Sequence, residues 1–172
     1  MLPSLSIRLI YPSPVHAPRV VARAKVERLE REIQQLPQAD CPVWHHFAPG
    51  LYARKMLIRK GITLTGAVHR TEHLVIVSGD ISVITDDGVQ RITDSHFIFK
   101  SMPGMKRAGF AHQDTYFTTV HATTETDLDM LIEELTESTS DELLGGRSNV
   151  QLLNQMRRDA VLPAVPADRE VS

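Results

Sequence analysis

Cysteine occurs once in the 172 residues, at Cys41. Without a second thiol the chain forms no internal disulfide, which fits a reducing cytosol. The lone thiol reads as a small buried apolar side chain. An excess of charge of one sign is also missing. Nineteen Lys and Arg stand against 21 Asp and Glu, a net charge of −2. Aromatic residues are only 5% of the chain, and no basic stripe interleaves with them. A nucleic-acid-binding surface is therefore not expected. No apolar run approaches the ~20 residues that span a bilayer, so no membrane partner is expected. The first residues, MLPSLSIRLIYPSP, lack a basic stretch followed by an unbroken apolar one, so no signal peptide is expected. No glycine-rich phosphate loop follows a strand, no Ser-His-Asp or Cys-His arrangement stands out, and nothing repeats.

What is present begins with prolines. Pro3, Pro12, Pro14 and Pro18 block a long helix and favour an extended arm. From Arg19 to Leu36 the apolar Val26, Leu29, Ile33 and Leu36 fall three and four apart, on one helical face. Glu27 with Arg31, and Arg28 with Glu32, are i,i+4 pairs on the other faces, and Pro37 ends the element. From Cys41 to Ala122 the period becomes that of strands. Expected strands are 51–58, 74–77, 81–85, 89–92, 97–99, 107–111 and 115–122, with Asp86-Asp87-Gly88 as a hairpin turn. Many short strands with frequent turns predict a sandwich or closed barrel. The helical period then returns. Thr126 with Asp129 reads as a capping box before Leu128, Leu131, Ile132 and Leu135. A short helical turn over 138–144, stopped by Gly145-Gly146, and a last helix from Ser148 to about Arg158 follow. The organisation expected is thus an arm and helix over 1–40, a barrel over 41–123, helices over 124–158 and a loose tail over 159–172.

The chemically pointed stretch is Gly61 to Gly79, GITLTGAVHRTEHLVIVSG, where His69, Glu72 and His73 fall within five residues before an apolar strand. The region from Pro42 to Thr123 resembles the cupins, small jelly-roll β-barrels. Their first motif has two histidines one residue apart, then a glutamate, six residues and a glycine. Here His69 sits at the second histidine, six residues separate Glu72 from Gly79, and Ala67 takes the first histidine position. The second motif places a histidine after proline and glycine. Pro103 and Gly104 are present, with Arg107 at the histidine position. More narrowly, HHFAPGLYARKMLIRKG, GAVHRTEHLVIVSGDISVITDDG, PGMKRAGFAH and TTVHATTETDL are similar to cupin-like proteins encoded by bacteriophages, a group without a well-defined activity.

The resemblance implies a mainly β, cupin-like jelly-roll barrel flanked by an N-terminal helix and C-terminal helices. It implies a reduced metal set in which His69 and Glu72 remain. On one reading His112 or His121 completes a three-ligand site for one divalent transition metal, Zn, Mn or Fe. On the other, His69 and Glu72 bond each other or pair with Arg107 as a buried polar network. Arg107 either binds a carboxylate or phosphate bidentately or pairs with Glu72 or Asp114. His73, next to Glu72, is expected to point away from the site. His45 and His46 alternate faces, so at most one reaches the interior, and His112 is expected at an exposed turn.

Two functions follow. The first is a non-enzymatic, bacteriophage-type accessory protein, either virion-associated and in assembly or binding a small ligand. Its place would be the host cytoplasm or the virion, with other phage structural proteins as partners. The alternative is a metal-dependent small-molecule enzyme of dioxygenase or isomerase type. A homo-oligomer is expected, most simply a two-fold dimer.

Overall fold

Two antiparallel sheets pack face to face around a core supplied by both. The structure, a computed structural model, describes residues 19–85, 88–139 and 155. The expected N-terminal arm, residues 140–144 of the expected helical turn, the last helix apart from Gln155, the tail and Asp86-Asp87 lie outside the described residues. The elements are α1 (Arg19–Gln34), β1 (Val43–Ala48), β2 (Leu51–Ile58), β3 (Thr63–Thr65), β4 (His73–Ser78), β5 (Ile81–Thr85), β6 (Gly88–Ile92), β7 (Phe97–Ser101), β8 (Ala108–Ala111), β9 (Thr115–Ala122) and α2 (Leu128–Leu135). One sheet has the order β1-β2-β9-β4-β7 and the other β3-β8-β5-β6. From β2 onward the chain crosses between the sheets at nearly every connection, the β5–β6 hairpin excepted. That winding is a jelly roll of the cupin type, with β1 added as an edge strand.

The period of two along each strand decides what enters the interior. In β4, His73, Val75 and Val77 are buried while Leu74 is exposed. In β9, Thr115, Thr119 and His121 are buried. The first sheet gives Ile58, Val75 and Val77 to the core, and the second gives Ile81, Val83, Ile92 and Ala111. This apolar cluster fills one end of the barrel. The other end, where His73 and His121 lie, is polar.

A close backbone approach locks β4 to β9. Gly79 has φ of 142°, and a Cβ there would meet Thr115 Oγ1 at 2.5 Å and Thr115 Cα at 2.8 Å. The Thr115 hydroxyl accepts from Asp80 N at 3.1 Å across the same junction.

The helices close the flanks. In α1, Val26 is 1% exposed, and Glu30 Oε1 lies 2.8 Å from Lys106 Nζ and 3.0 Å from Thr65 Oγ1. Leu36, expected on the packed face, is 62% exposed, because α1 stops at Gln34 and the chain leaves the sheet. Glu27 pairs with Arg23 at 2.8 Å rather than with Arg31. In α2 the cap is Asp127, not Thr126. Its carboxylate accepts from the backbone N–H of Asp129 and of Met130, each at 3.0 Å. Leu128, Leu131 and Leu135 then bury themselves against Tyr52 at the polar end of the barrel. Among the described residues no helix is long and apolar enough to cross a membrane.

Candidate metal centre

Three histidines meet at that polar end. Each of His69, His73 and His121 offers a ring nitrogen, and the three atoms lie within 4.8 Å of one another. The ring centroids are 4.2 Å apart for His69 and His73, 4.9 Å for His69 and His121, and 4.5 Å for His73 and His121. His73 opens β4 and His121 stands near the end of β9. The β4–β9 register pairs Leu74 with Val120, so one further step brings these two histidines opposite each other. His69 comes from the loop before β4. Its backbone is tied down on both sides: Gly104 N donates to its carbonyl at 2.9 Å, and Arg70 N donates to Leu135 O at 2.8 Å.

Burial keeps these rings uncharged. Desolvation, with smaller contributions from His73, His121, Arg54 and Arg107, holds the His69 pKa down to about 2. Desolvation and the neighbouring His73 and Arg54 hold His121 down to about 4. Burial lowers His73 as well. Neutral imidazole is the form that ligates a metal. His73 Nδ1 donates to the Thr71 carbonyl at 3.2 Å, which leaves Nε2 as its free donor atom. Nδ1 of His69 and Nδ1 of His121 are buried without a hydrogen-bond partner. Buried polar atoms ordinarily find partners, and two orphaned imidazole nitrogens within one cluster fit a ligated ion.

A second ring of contacts supports the cluster. Tyr52 packs on His121 with centroids 6.2 Å apart, and its hydroxyl lies 2.7 Å from Nδ1 of His45. His45 is the interior member of its pair, half-buried, while His46 is exposed. Burial, helped by Arg54, lowers His45 to about 4.

His69 and His73 border a cavity of about 80 Å³ between the sheets. His69, His73, Thr119 and Arg107 give it polar walls, and Met56, Ile58, Leu64, Val75, Ile81 and Phe117 give it apolar ones. Arg107 Nη1 donates to Ser101 Oγ at 2.6 Å, and its guanidinium lies 5.4 Å from the centroid of the Phe99 ring.

The structure brings together only part of the set expected from the sequence. His69 and His121 join the cluster and Arg107 reaches the cavity wall. Glu72 does not. It is exposed and lies 3.3 Å from Lys100 Nζ. His73, expected to face outward, takes the interior position with 5% exposure. The reason is the strand period: Val75 and Val77 fix one side of β4 as interior, and adjacent residues cannot share it. Arg107 therefore pairs with neither Glu72 nor Asp114, and Asp114 instead bonds Arg59 at 2.7 Å. His112 stands apart, half-buried, with Nε2 2.8 Å from Ser82 Oγ and its ring edge-on to Phe110. Besides His73, the sequence reading passed over Tyr52 and Arg54. The signal for both was an even spacing from Met56 and Ile58 on one strand, two and four residues for Arg54 and four and six for Tyr52.

The fold and the cluster define a cupin-like jelly roll with a three-histidine pocket. No family model matches the chain, and no curated protein does. Solved structures with a similar fold include the cupin_2 domain of an XRE family transcriptional regulator from Enterobacter cloacae. It is 13% identical with a TM-score of 0.40, and the match covers 49% of this chain and 99% of that one. A cupin-2 domain containing protein from Shewanella frigidimarina is 11% identical, with a TM-score of 0.39, covering 59% and 98%. A salicylate 1,2-dioxygenase from Pseudaminobacter salicylatoxidans is 12% identical, with a TM-score of 0.46, covering 66% of this chain and 35% of that one.

Proposed function

We propose that the protein is a metal-dependent cupin-type protein that acts on a small molecule, with His69, His73 and His121 holding one divalent transition metal. The carrying observation is the convergence of three neutral imidazole nitrogens within 4.8 Å, two of the rings bordering a cavity. Three imidazoles suit Zn, Fe, Cu or Ni, whereas Mn prefers oxygen ligands, so Mn is the least fitting of the metals expected. A metal held by three side chains supplies Lewis acidity, a bound water of lowered pKa, or redox chemistry at its open position. The chain's own groups do the rest. Tyr52 and α2 close the barrel end and keep bulk water from the histidines. The His73 bond to Thr71 fixes its tautomer. The apolar walls accept the ligand body. The dioxygenase or isomerase alternative of the sequence reading is the enzymatic form of this proposal.

Metal analysis of protein purified without chelators tests it. The expected result is about one transition metal per chain, lost in His69→Ala and in His121→Ala. Metal-free protein that also fails to take up added Zn(II) or Co(II) would end the proposal.

A second proposal draws on a different surface. The outer face of the five-stranded sheet exposes Trp44, Leu74, Ile98 and Tyr116. This face suits pairing with a second copy, and it is the surface through which the non-enzymatic, bacteriophage-type accessory or assembly role would operate. Absence of the protein from purified phage particles and from assembly intermediates would count against that role.

A further inference from the structure

Two of the three histidines are fixed by the sheet and the third is not. His73 and His121 belong to β4 and β9, which pair with each other, whereas His69 stands in the connection between β3 and β4. That connection runs beside the one from β7 to β8. Gly66 N donates to Arg107 O and Gly104 N donates to His69 O, each at 2.9 Å. Helix α1 grips this pair of loops at two points. Glu30 Oε1 accepts from Thr65 Oγ1, at the end of β3, at 3.0 Å and from Lys106 Nζ at 2.8 Å. The Lys106 side chain is only 8% exposed, and its Nζ also donates to Gly66 O at 3.3 Å. Two turns earlier on the helix, Arg23 Nη2 donates to Glu137 Oε2 at 2.7 Å. Glu137 N in turn donates to Val68 O, on the residue before His69, at 2.9 Å. Arg23, Val26 and Glu30 share one helical face, and Val26 is buried.

We propose that α1 is a latch for the third ligand. Glu30 and Arg23 are positioning residues that hold the loop bearing His69, and the site has all three ligands only while the helix is docked. A ligand carried on a loop needs neighbours that fix its backbone, since a metal site tolerates an error of only ~0.5 Å. An ion pair as enclosed as Glu30 with Lys106 fixes geometry more than it adds stability. Release of the helix leaves His73 and His121 opposed across the ladder, and two imidazoles hold a divalent metal weakly. Docking of α1 thus sets metal occupancy. The inference rests on the three-histidine reading for the metal, and on the two ion pairs alone for the hold on the loop.

The test uses the full chain and the double substitution Arg23→Gln with Glu30→Gln, which removes both ion pairs and keeps Val26. Co(II) titration followed by visible absorption reads the ligand set. In the metal-free protein, acylation by diethyl pyrocarbonate, followed at each histidine by peptide mass spectrometry, reads access to the imidazoles. The double variant should bind Co(II) about tenfold more weakly than the wild type, with a spectrum approaching that of His69→Ala. Placed in His69→Ala, the same two changes should leave the residual affinity nearly unchanged, because the helix acts through that imidazole. Acylation of His69 should quicken several-fold while that of His121, held in β9, barely changes. Arg23→Gln alone alters an exposed pair that the fold can lose, and it should move both readings the same way by a smaller factor. Arg23→Lys, which keeps the charge, should stay near the wild type. The proposal is overturned if the double variant keeps wild-type Co(II) affinity, if affinity falls equally with and without His69, or if His69 acylates at the wild-type rate. A lowered melting temperature with both readings unchanged would mark a merely structural helix and overturn it too. If the wild type takes up no Co(II), the metal centre is rejected and acylation alone decides: a faster His69 upholds the latch, an unchanged one ends it.

Discussion

The imidazoles of His73 and His121 face one another across the β4–β9 ladder with ring centroids 4.5 Å apart, so a proton on one opposes a proton on the other. The native state therefore excludes protons that the unfolded chain accepts. In the unfolded chain these rings titrate near 6.5. In the folded protein His121 and His45 are held to about 4 and His69 to about 2. As pH falls, the unfolded state is protonated first. Stability of the metal-free protein should be full above about pH 6.5 and decline steadily from there to about pH 4. Each histidine contributes at most about 1.4 kcal/mol per pH unit. Denaturant melts between pH 7.5 and 4.5 check this. A flat profile across that range would contradict the buried neutral cluster.

The one-residue difference between Glu72 and His73 gives a direct comparison. Glu72 is a surface residue paired with Lys100, and such pairs contribute about 0–1 kcal/mol. Glu72→Gln should leave both Co(II) affinity and melting temperature nearly unchanged. His73→Gln should weaken Co(II) binding at least tenfold while leaving the circular dichroism spectrum native. Equal effects of the two substitutions would mean that the carboxylate swings in on metal binding.

Gly79→Ala should be among the most damaging single-methyl changes in the barrel. The new Cβ would sit 2.5 Å from Thr115 Oγ1 and 2.9 Å from Asp114 O, on a backbone of φ 142°. The expected loss is about 2–4 kcal/mol, measured by denaturant unfolding. Gly50→Ala has the open space that Gly79→Ala lacks, and its cost is limited to strain at φ 74°. It should therefore cost less.

The outer sheet face predicts association. Trp44 on β1, Tyr116 on β9, Leu74 on β4 and Ile98 on β7 are 41%, 39%, 48% and 58% exposed, a spread of apolar surface unusual for a monomer. Light scattering coupled to size exclusion should give twice the chain mass at micromolar concentration. Leu74→Asp with Ile98→Asp should halve it without unfolding the barrel. A wild type that stays monomeric would remove this face as a self-association surface.

The fold was largely legible because jelly-roll strands are short, alternating and bounded by turn residues. The ranges 51–58, 81–85 and 115–122 agree with β2, β5 and β9 residue for residue. Strand β3, only three residues of TLT, was missed because so short a piece carries no periodicity. The site was legible in part. In LVIV every residue is apolar, so nothing local says which pair faces inward, and His73 was placed on the outer side although Val75 and Val77 put it inside.

The segment around His69 is stitched to the far side of the chain: Arg70 N donates to Leu135 O, Glu137 N donates to Val68 O, and His69 bridges to Thr136. One of the three imidazoles is thus held in place by residues beyond the point where the jelly roll ends. A fragment cut after Thr123 would retain every strand yet release that imidazole's tether, so excising the barrel would separate its architecture from its chemistry.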